Sequence, residues 1–208
     1  SYTGENSSNG PIITTGFEPA FIMLKNATGV YEWVIYDNKR STSNPRDNVL
    51  YPNTGGTENS GETGDIDFFA NGFKIKAGSG SINQNGATII YIAIAADGST
   101  TTPSLANSFA TEIYTGNSGT KSINTGTSPY FAPDFTWTKS RNGVNYHQLF
   151  DSVRGATKAI ESDTTFAESI EPTALTAFDT DGFSLGSSGN VNSSGITYAS
   201  WNWKAGGT

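Results

Sequence analysis

Apolar and polar positions along this chain alternate in short runs instead of recurring at helical spacing. Runs such as Ala20–Lys25, Thr88–Ala95 and Ile196–Lys204 are bounded by clusters of Gly, Asn, Asp and Ser. Side chains alternate across a strand, so this pattern predicts half-buried strands separated by turns. In the first half the predicted strands are Ile12–Thr15, Ala20–Lys25, Tyr31–Tyr36, Asp65–Phe69, Phe73–Ala77 and Thr88–Ala95. In the second half they are Lys121–Thr125, Asp134–Lys139, Tyr146–Phe150, Ala174–Phe178, Phe183–Gly186 and Ile196–Lys204. Asn71-Gly72 and Asp181-Gly182 are two-residue hairpin signals. The one helix-like stretch is Thr157–Ala167, and its apolar spacing is irregular.

The halves resemble each other in order. Tyr2-Thr3-Gly4 returns as Tyr114-Thr115-Gly116, and Phe17-Glu18-Pro19-Ala20-Phe21 as Phe131-Ala132-Pro133-Asp134-Phe135. Lys25 matches Lys139, Asp37-x-x-Arg40 matches Asp151-x-x-Arg154, and Gly72-Phe73 matches Gly182-Phe183. Tyr91-Ile92-Ala93-Ile94 aligns with Tyr198-Ala199-Ser200-Trp201. Ordered anchors of this kind mark an internal repeat. The reading is two divergent copies, 1–97 and 112–208, joined by a Ser-, Thr- and Pro-rich linker at 98–111. Regular short strands suggest a sandwich or a compact barrel. The expected fold is all-β, with two tandem divergent β-sandwich-like units of jelly-roll or lectin-like type.

Composition narrows the function classes. Gly, Ser, Thr and Asn supply 94 of the 208 residues, yet aromatics reach 12% and charged residues only 15%. Disorder goes with few aromatics and high charge, so this is a folded, turn-rich chain. A net charge of -7 argues against non-specific nucleic-acid binding, which needs a basic surface. The absence of Cys and the single His exclude thiolate and two-His metal sites within one chain. The longest apolar run, Ala87–Ala96, is far below the roughly 20 residues of a membrane helix, so no membrane insertion is expected. The polar start at Ser1 lacks Met and reads as a fragment or processed product without a signal peptide.

Candidate chemistry is sparse. Ala199, Trp201, Trp203 and Ala205 share one strand face; a sugar-stacking platform is the sharp reading and core packing the favoured one, since Trp201 aligns with apolar Ile94. Trp33 aligns with His147, and a position that alternates between Trp and His is less core-like. These two residues are the candidates for an exposed ligand-binding surface, weighed against a structural role. His147 lacks the oriented nucleophile that a general base requires. The recurring Asp37/Arg40 and Asp151/Arg154 spacing suggests structural ion pairs, or Arg bonds to carbonyls, that close a loop. Asp179-Thr180-Asp181-Gly182 opens like a calcium loop, but the twelfth position is Asn190, not Glu. Asp65-x-Asp67 could hold a surface cation. Glu161, Glu168 and Glu171 show no spacing that selects a glycosidase pair.

The second copy carries a recognisable pattern. Its parts are Leu149-Phe150-Asp151-Ser152-Val153-Arg154-Gly155, then Phe178-Asp179-Thr180-Asp181-Gly182-Phe183, then Tyr198-Ala199-Ser200-Trp201-Asn202-Trp203-Lys204. It resembles an uncharacterised repeat domain of virion and tail-fibre-like proteins of bacteriophages, notably marine ones. The resemblance implies a structural or adhesive module of a tail fibre, tail-associated part or head decoration. Such a module would act by assembly and contact at the extracellular virion surface. The implied partners are other virion proteins and further copies of the chain. The alternative is a lectin-like module that binds host surface glycan. Neither reading requires catalysis, so no enzyme activity and no cofactor beyond surface Ca2+ are expected.

Overall fold

The computed structural model describes residues 1–60, 66–78, 80–95 and 108–205. The chain divides into two compact units, Ser1–Asn53 with Glu58–Ser99, and Thr54–Thr57 with Thr100–Thr208. The first unit contains β1 (Tyr2–Thr3), β2 (Ile12–Thr14), β3 (Pro19–Asn26), β4 (Val34–Asp37), β5 (Asn48–Val49), β6 (Asn59–Ser60), β7 (Ile66–Phe69), β8 (Gly72–Ile75), α1 (Gly80–Asn83) and β9 (Thr88–Ala95). The second contains β10 (Phe109–Thr115), β11 (Lys121–Asn124), β12 (Phe135–Ser140), β13 (Gln148–Asp151), β14 (Lys158–Ala159), β15 (Ser169–Ile170), β16 (Leu175–Asp179), β17 (Gly182–Leu185), α2 (Gly189–Asn192) and β18 (Thr197–Trp203).

The two units share one topology. Sheet β1-β9-β3-β4 corresponds to β10-β18-β12-β13, sheet β2-β8-β7 to β11-β17-β16, and the ribbon β5-β6 to β14-β15. Among the described residues every pairing is antiparallel. This is an all-β, sandwich-like fold used twice, with a core in each unit. Ile22, Leu24, Val34 and Tyr36 from the four-stranded sheet meet Ile13, Phe73 and Ile75 from the three-stranded sheet. In the second unit Tyr114, Phe150 and Tyr198 meet Ile123, Leu175, Phe183 and Leu185. Each first-strand Tyr also reaches the short helix: Tyr2 donates to the Ile82 carbonyl and Tyr114 to the Val191 carbonyl.

Several expectations are corrected. Thr157–Ala167 is not helical. It holds β14 and loop, and its irregular apolar spacing could not bury one helix face. The helices are single turns at Gly80–Asn83 and Gly189–Asn192, too short to show a period. The hairpin loops are Ala70-Asn71 and Thr180-Asp181, because Phe69 pairs Gly72 and Asp179 pairs Gly182. Each Gly instead opens the returning strand. A Cβ on Gly72 would lie 2.0 Å from the Ile13 carbonyl oxygen, and one on Gly182 1.9 Å from that of Ile123. Strand β10 takes 109–111 out of the expected linker; 98–107 and Asp65 lie outside the described residues.

Pairing also corrects one repeat alignment. Phe21 faces Ile94 and Phe135 faces Trp203, while Met23 faces Ile92 and Trp137 faces Trp201. Trp201 therefore corresponds to Ile92, and the aligned motif slipped by two residues. A slip of two keeps the strand face, so the sequence pattern could not reveal it.

Candidate functional site

Two features use side chains singled out by sequence, and a third emerges from the structure. The first is a loop clamp that both units build after the fourth strand of the large sheet. Arg40 Nε donates to Asp37 Oδ2 at 2.5 Å, its Nη1 to Glu58 Oε2 at 2.9 Å and its Nη2 to the Ile35 carbonyl at 2.9 Å. Arg154 repeats this with Asp151 Oδ2, Glu168 Oε2 at 3.1 Å and the Leu149 carbonyl at 3.2 Å. The planar guanidinium serves three acceptors at once, which a Lys ammonium could not match. The settings differ: the Asp37 and Arg40 side chains are 0% exposed, whereas those of Asp151 and Arg154 are 26% and 23% exposed. Burial alone would lower the Arg40 guanidinium, but Asp37 and Glu58 outweigh it and hold it above its usual value. Burial would raise Asp151, and the Arg154 amide and guanidinium instead bring it below the carboxylate range. Glu58 and Glu168 were not singled out with these motifs, because they are distant in sequence.

The second feature is the loop joining the two central strands. In the first unit Lys25 donates to the Tyr31 carbonyl, and the Trp33 amide donates to Asn53 Oδ1 at 3.1 Å. Val30 is fully exposed, Tyr31 is 37% exposed and Trp33 is half-buried. The Tyr31 ring lies over backbone: a Cβ on Gly29 or on Gly80 would come within 2.6 Å of it. In the second unit Asn145 takes the Tyr31 position and donates to the Gly189 carbonyl at 3.2 Å. Here the expectation of an exposed His147 fails. His147 is fully buried; its Nδ1 accepts from Trp137 Nε1 at 2.8 Å, and its amide donates to Asp163 Oδ1 at 3.0 Å. Lys139 is buried as well, donating to the Asn145 carbonyl at 2.6 Å. Burial lowers its ammonium from 10.5 to about 8, with Asp163 opposing. Burial also raises Asp163. Trp33 and His147 thus occupy one repeat position in two environments. Tyr31 was missed because a lone aromatic beside a turn carries no spacing signal.

The third feature is the inner face of the large sheet. In the first unit it presents Ile22, Leu24, Val34, Tyr91 and Ala93. The matching residues of the second unit are Thr136, Thr138, Gln148, Ser200 and Asn202, all buried. Gln148 Nε2 donates to Glu161 Oε1 at 2.9 Å, and Asn202 Nδ2 donates to the Ala110 carbonyl at 3.2 Å. Thr136 Oγ1, Gln148 Oε1 and Asn202 Oδ1 have no protein partner. A buried polar atom normally finds one, or an ordered water.

The remaining candidates have local uses. Asp179 accepts from Ser184 Oγ at 2.7 Å, Asp181 from Asn124 Nδ2 at 3.1 Å, and Asp67 faces Lys76 at 3.5 Å. Trp201 is fully buried. Among the described residues no three His, Cys, Asp or Glu side chains gather as a metal site, and no helix is long and apolar enough to cross a membrane.

Identical strand order and the same three-acceptor clamp make the units two copies of one domain. The chain belongs to the family described as Domain of unknown function (DUF7483). The DUF7483 model matches residues 1–97 and again 104–208. No curated protein and no solved structure matches the chain. The two DUF7483 copies keep the clamp, the Tyr-to-helix bond and the hairpin Gly. They diverge on the inner face and in the loop that carries Tyr31.

Proposed function

We propose that this chain is a structural and adhesive module of a bacteriophage virion, in a tail fibre, tail-associated part or head decoration. It acts at the particle surface by assembly with other virion proteins and by contact. The observation that carries the reading is where the polar side chains are used. Arg40 and Arg154 fix matched loops, and Asn83 and Asn192, the last residues of the short helices, do the same there. Asn83 Nδ2 donates to the Ser7 and Ala77 carbonyls, and Asn192 Nδ2 to those of Gly119 and Gly186. A scaffold built twice from such bonds suits a protein whose task is to hold shape. The resemblance of 112–208 to tail-fibre-like repeats supports the viral setting. The test is mass spectrometry and immunogold labelling of density-purified particles of a phage that encodes this chain. The chain is expected in multiple copies per particle. Its absence from particles while it is abundant in the infected-cell lysate would refute the reading.

One observation favours a second reading, binding of host surface glycan. A tyrosine ring held over glycine backbone, with an exposed face, suits stacking on a sugar. The site would comprise Tyr31 and Trp33, without His147. Tyr31→Ala is expected to abolish binding on a polysaccharide array; retained binding would rule the site out.

A further inference from the structure

Three buried oxygens converge on the inner face of the second unit's large sheet. Strand β12 lies between β18 and β13 in that sheet. On its inner face Thr136 is directly opposite Asn202 of β18, and Thr138 is opposite Gln148 of β13. Gln148 is therefore the diagonal neighbour of Thr136, about 7–8 Å away and within reach of a long side chain. Each amide spends its nitrogen away from Thr136. Asn202 Nδ2 donates to the Ala110 carbonyl of β10 at 3.2 Å and along its own strand to Ser200 Oγ at 3.1 Å. Gln148 Nε2 donates to Glu161 Oε1, beyond β14, at 2.9 Å. Both amide oxygens are thereby turned toward the strand that carries the Thr136 hydroxyl. All three residues are 0% exposed, and Thr136 Oγ1, Gln148 Oε1 and Asn202 Oδ1 have no protein partner. The neighbouring Thr138 and Ser200 are already engaged, with Tyr114 and with Asn202 Nδ2.

Two of these oxygens are amide carbonyls, which only accept, so the occupant they call for is a donor or a cation. An ordered water would serve them; the charge around them favours an ion. Glu112 lies on the same face opposite Ser200, and Glu161 holds the amide end of Gln148. Lys139 is the one cation in the four strands, and alternation puts it on the opposite face. We propose that Thr136 Oγ1, Gln148 Oε1 and Asn202 Oδ1 bind a monovalent metal cation, Na+ or K+, inside the second unit. Neutral oxygens replace the hydration shell of such an ion, as carbonyls do in potassium filters. A divalent ion fits less well, because its desolvation cost is far larger and both carboxylates are engaged elsewhere. Glu112 Oε1 accepts from the Gly126 amide at 2.8 Å, and Glu161 accepts from Gln148 at 2.9 Å and from Thr164 Oγ1 at 3.1 Å. The counterparts in the first unit are Ile22, Val34 and Ala93, so the site belongs to one copy. The inference does not depend on the virion reading.

The test is native-state amide exchange of the intact chain in choline chloride, NaCl and KCl at equal ionic strength, with CaCl2 as a fourth arm. A bound ion slows exchange through opening of its site by 1 + [ion]/Kd, which is about tenfold at ten times Kd. NaCl or KCl is expected to slow the amides of β12, β13 and β18 in this way, relative to choline chloride. Those of β3, β4 and β9, which carry the apolar counterparts, are expected not to change. Thr136→Val keeps the side-chain shape and is expected to remove the effect. Gln148→Val, which installs the first unit's residue, is expected to do the same and serves if the other variant does not fold. Equal exchange in all four salts would assign the three oxygens to ordered water and overturn the proposal. Protection by Ca2+ alone would overturn it, and so would a monovalent effect that either folded variant keeps in full.

Discussion

The inner faces of the two large sheets show how far one scaffold can diverge. Five positions that are Ile, Leu, Val, Tyr and Ala in the first unit are Thr, Thr, Gln, Ser and Asn in the second, on the same strands and in the same register. The strands survive because their pairing uses backbone atoms, and the core survives because Phe150, Tyr198 and Phe183 still pack. Burial has moved in the opposite sense at the ionic groups. The clamp is sealed in the first unit and half open in the second, while the equivalent lysine is buried only in the second. Backbone-directed bonds are thus the common element, and side-chain environment is what differs between copies.

The largest expected contrast lies in the clamps. Arg40→Ala leaves Asp37 buried without its guanidinium, which costs about 3–5 kcal/mol. Arg154→Ala acts at a partly solvated site and costs about 1 kcal/mol. Urea unfolding read by amide exchange in each unit separates the two, and equal losses would break the comparison. Exchanging inner-face residues comes next. Val34→Gln puts an unpartnered amide into an apolar core at a cost of about 3 kcal/mol, whereas Gln148→Val stays within about 1 kcal/mol because an orphaned oxygen leaves with the amide. The same unfolding curves check both.

Lys139 gives a smaller, pH-dependent effect. The unfolded chain keeps this proton up to about 10.5, while the folded chain releases it near 8. Between those values the unfolded state binds more protons, so stability rises with pH, by up to about 3 kcal/mol, and below 8 the full burial cost is present. Lys139→Met is expected to remove that rise in a difference curve against the parent chain; an unchanged slope would contradict it. The smallest effect is at the short helices. Gly80→Ala pushes against the Tyr31 ring and is expected to cost about 1 kcal/mol, while Gly189→Ala, with nothing within 4 Å of its Cβ, stays within about 0.5 kcal/mol. Thermal melting together with the Tyr31 ring resonances distinguishes them.

Much of the fold was legible because period-two alternation and turn residues are local signals. All twelve strands read from alternation overlap observed ones, and the repeat follows from Phe21 and Phe135, Lys25 and Lys139, and Gly72 and Gly182. β10 was hidden in a Ser- and Thr-rich stretch that reads as linker, and the single-turn helices have no period. The Asp-x-x-Arg spacing pointed to the clamp, but its third members, Glu58 and Glu168, come from loops far along the chain. Sequence equivalence puts His147 in the surface setting of Trp33, because equivalence does not report burial. In the structure it is buried, with Trp137 donating to its ring and its amide donating to Asp163.

The most direct test is native-state hydrogen exchange of the unmodified chain, comparing the Arg40 and Arg154 amides, each of which donates to its clamp aspartate at 2.8 Å. The sealed clamp of the first unit predicts that the Arg40 amide exchanges at least ~tenfold more slowly than the Arg154 amide of the partly exposed one. Equal protection of the two amides would contradict the account.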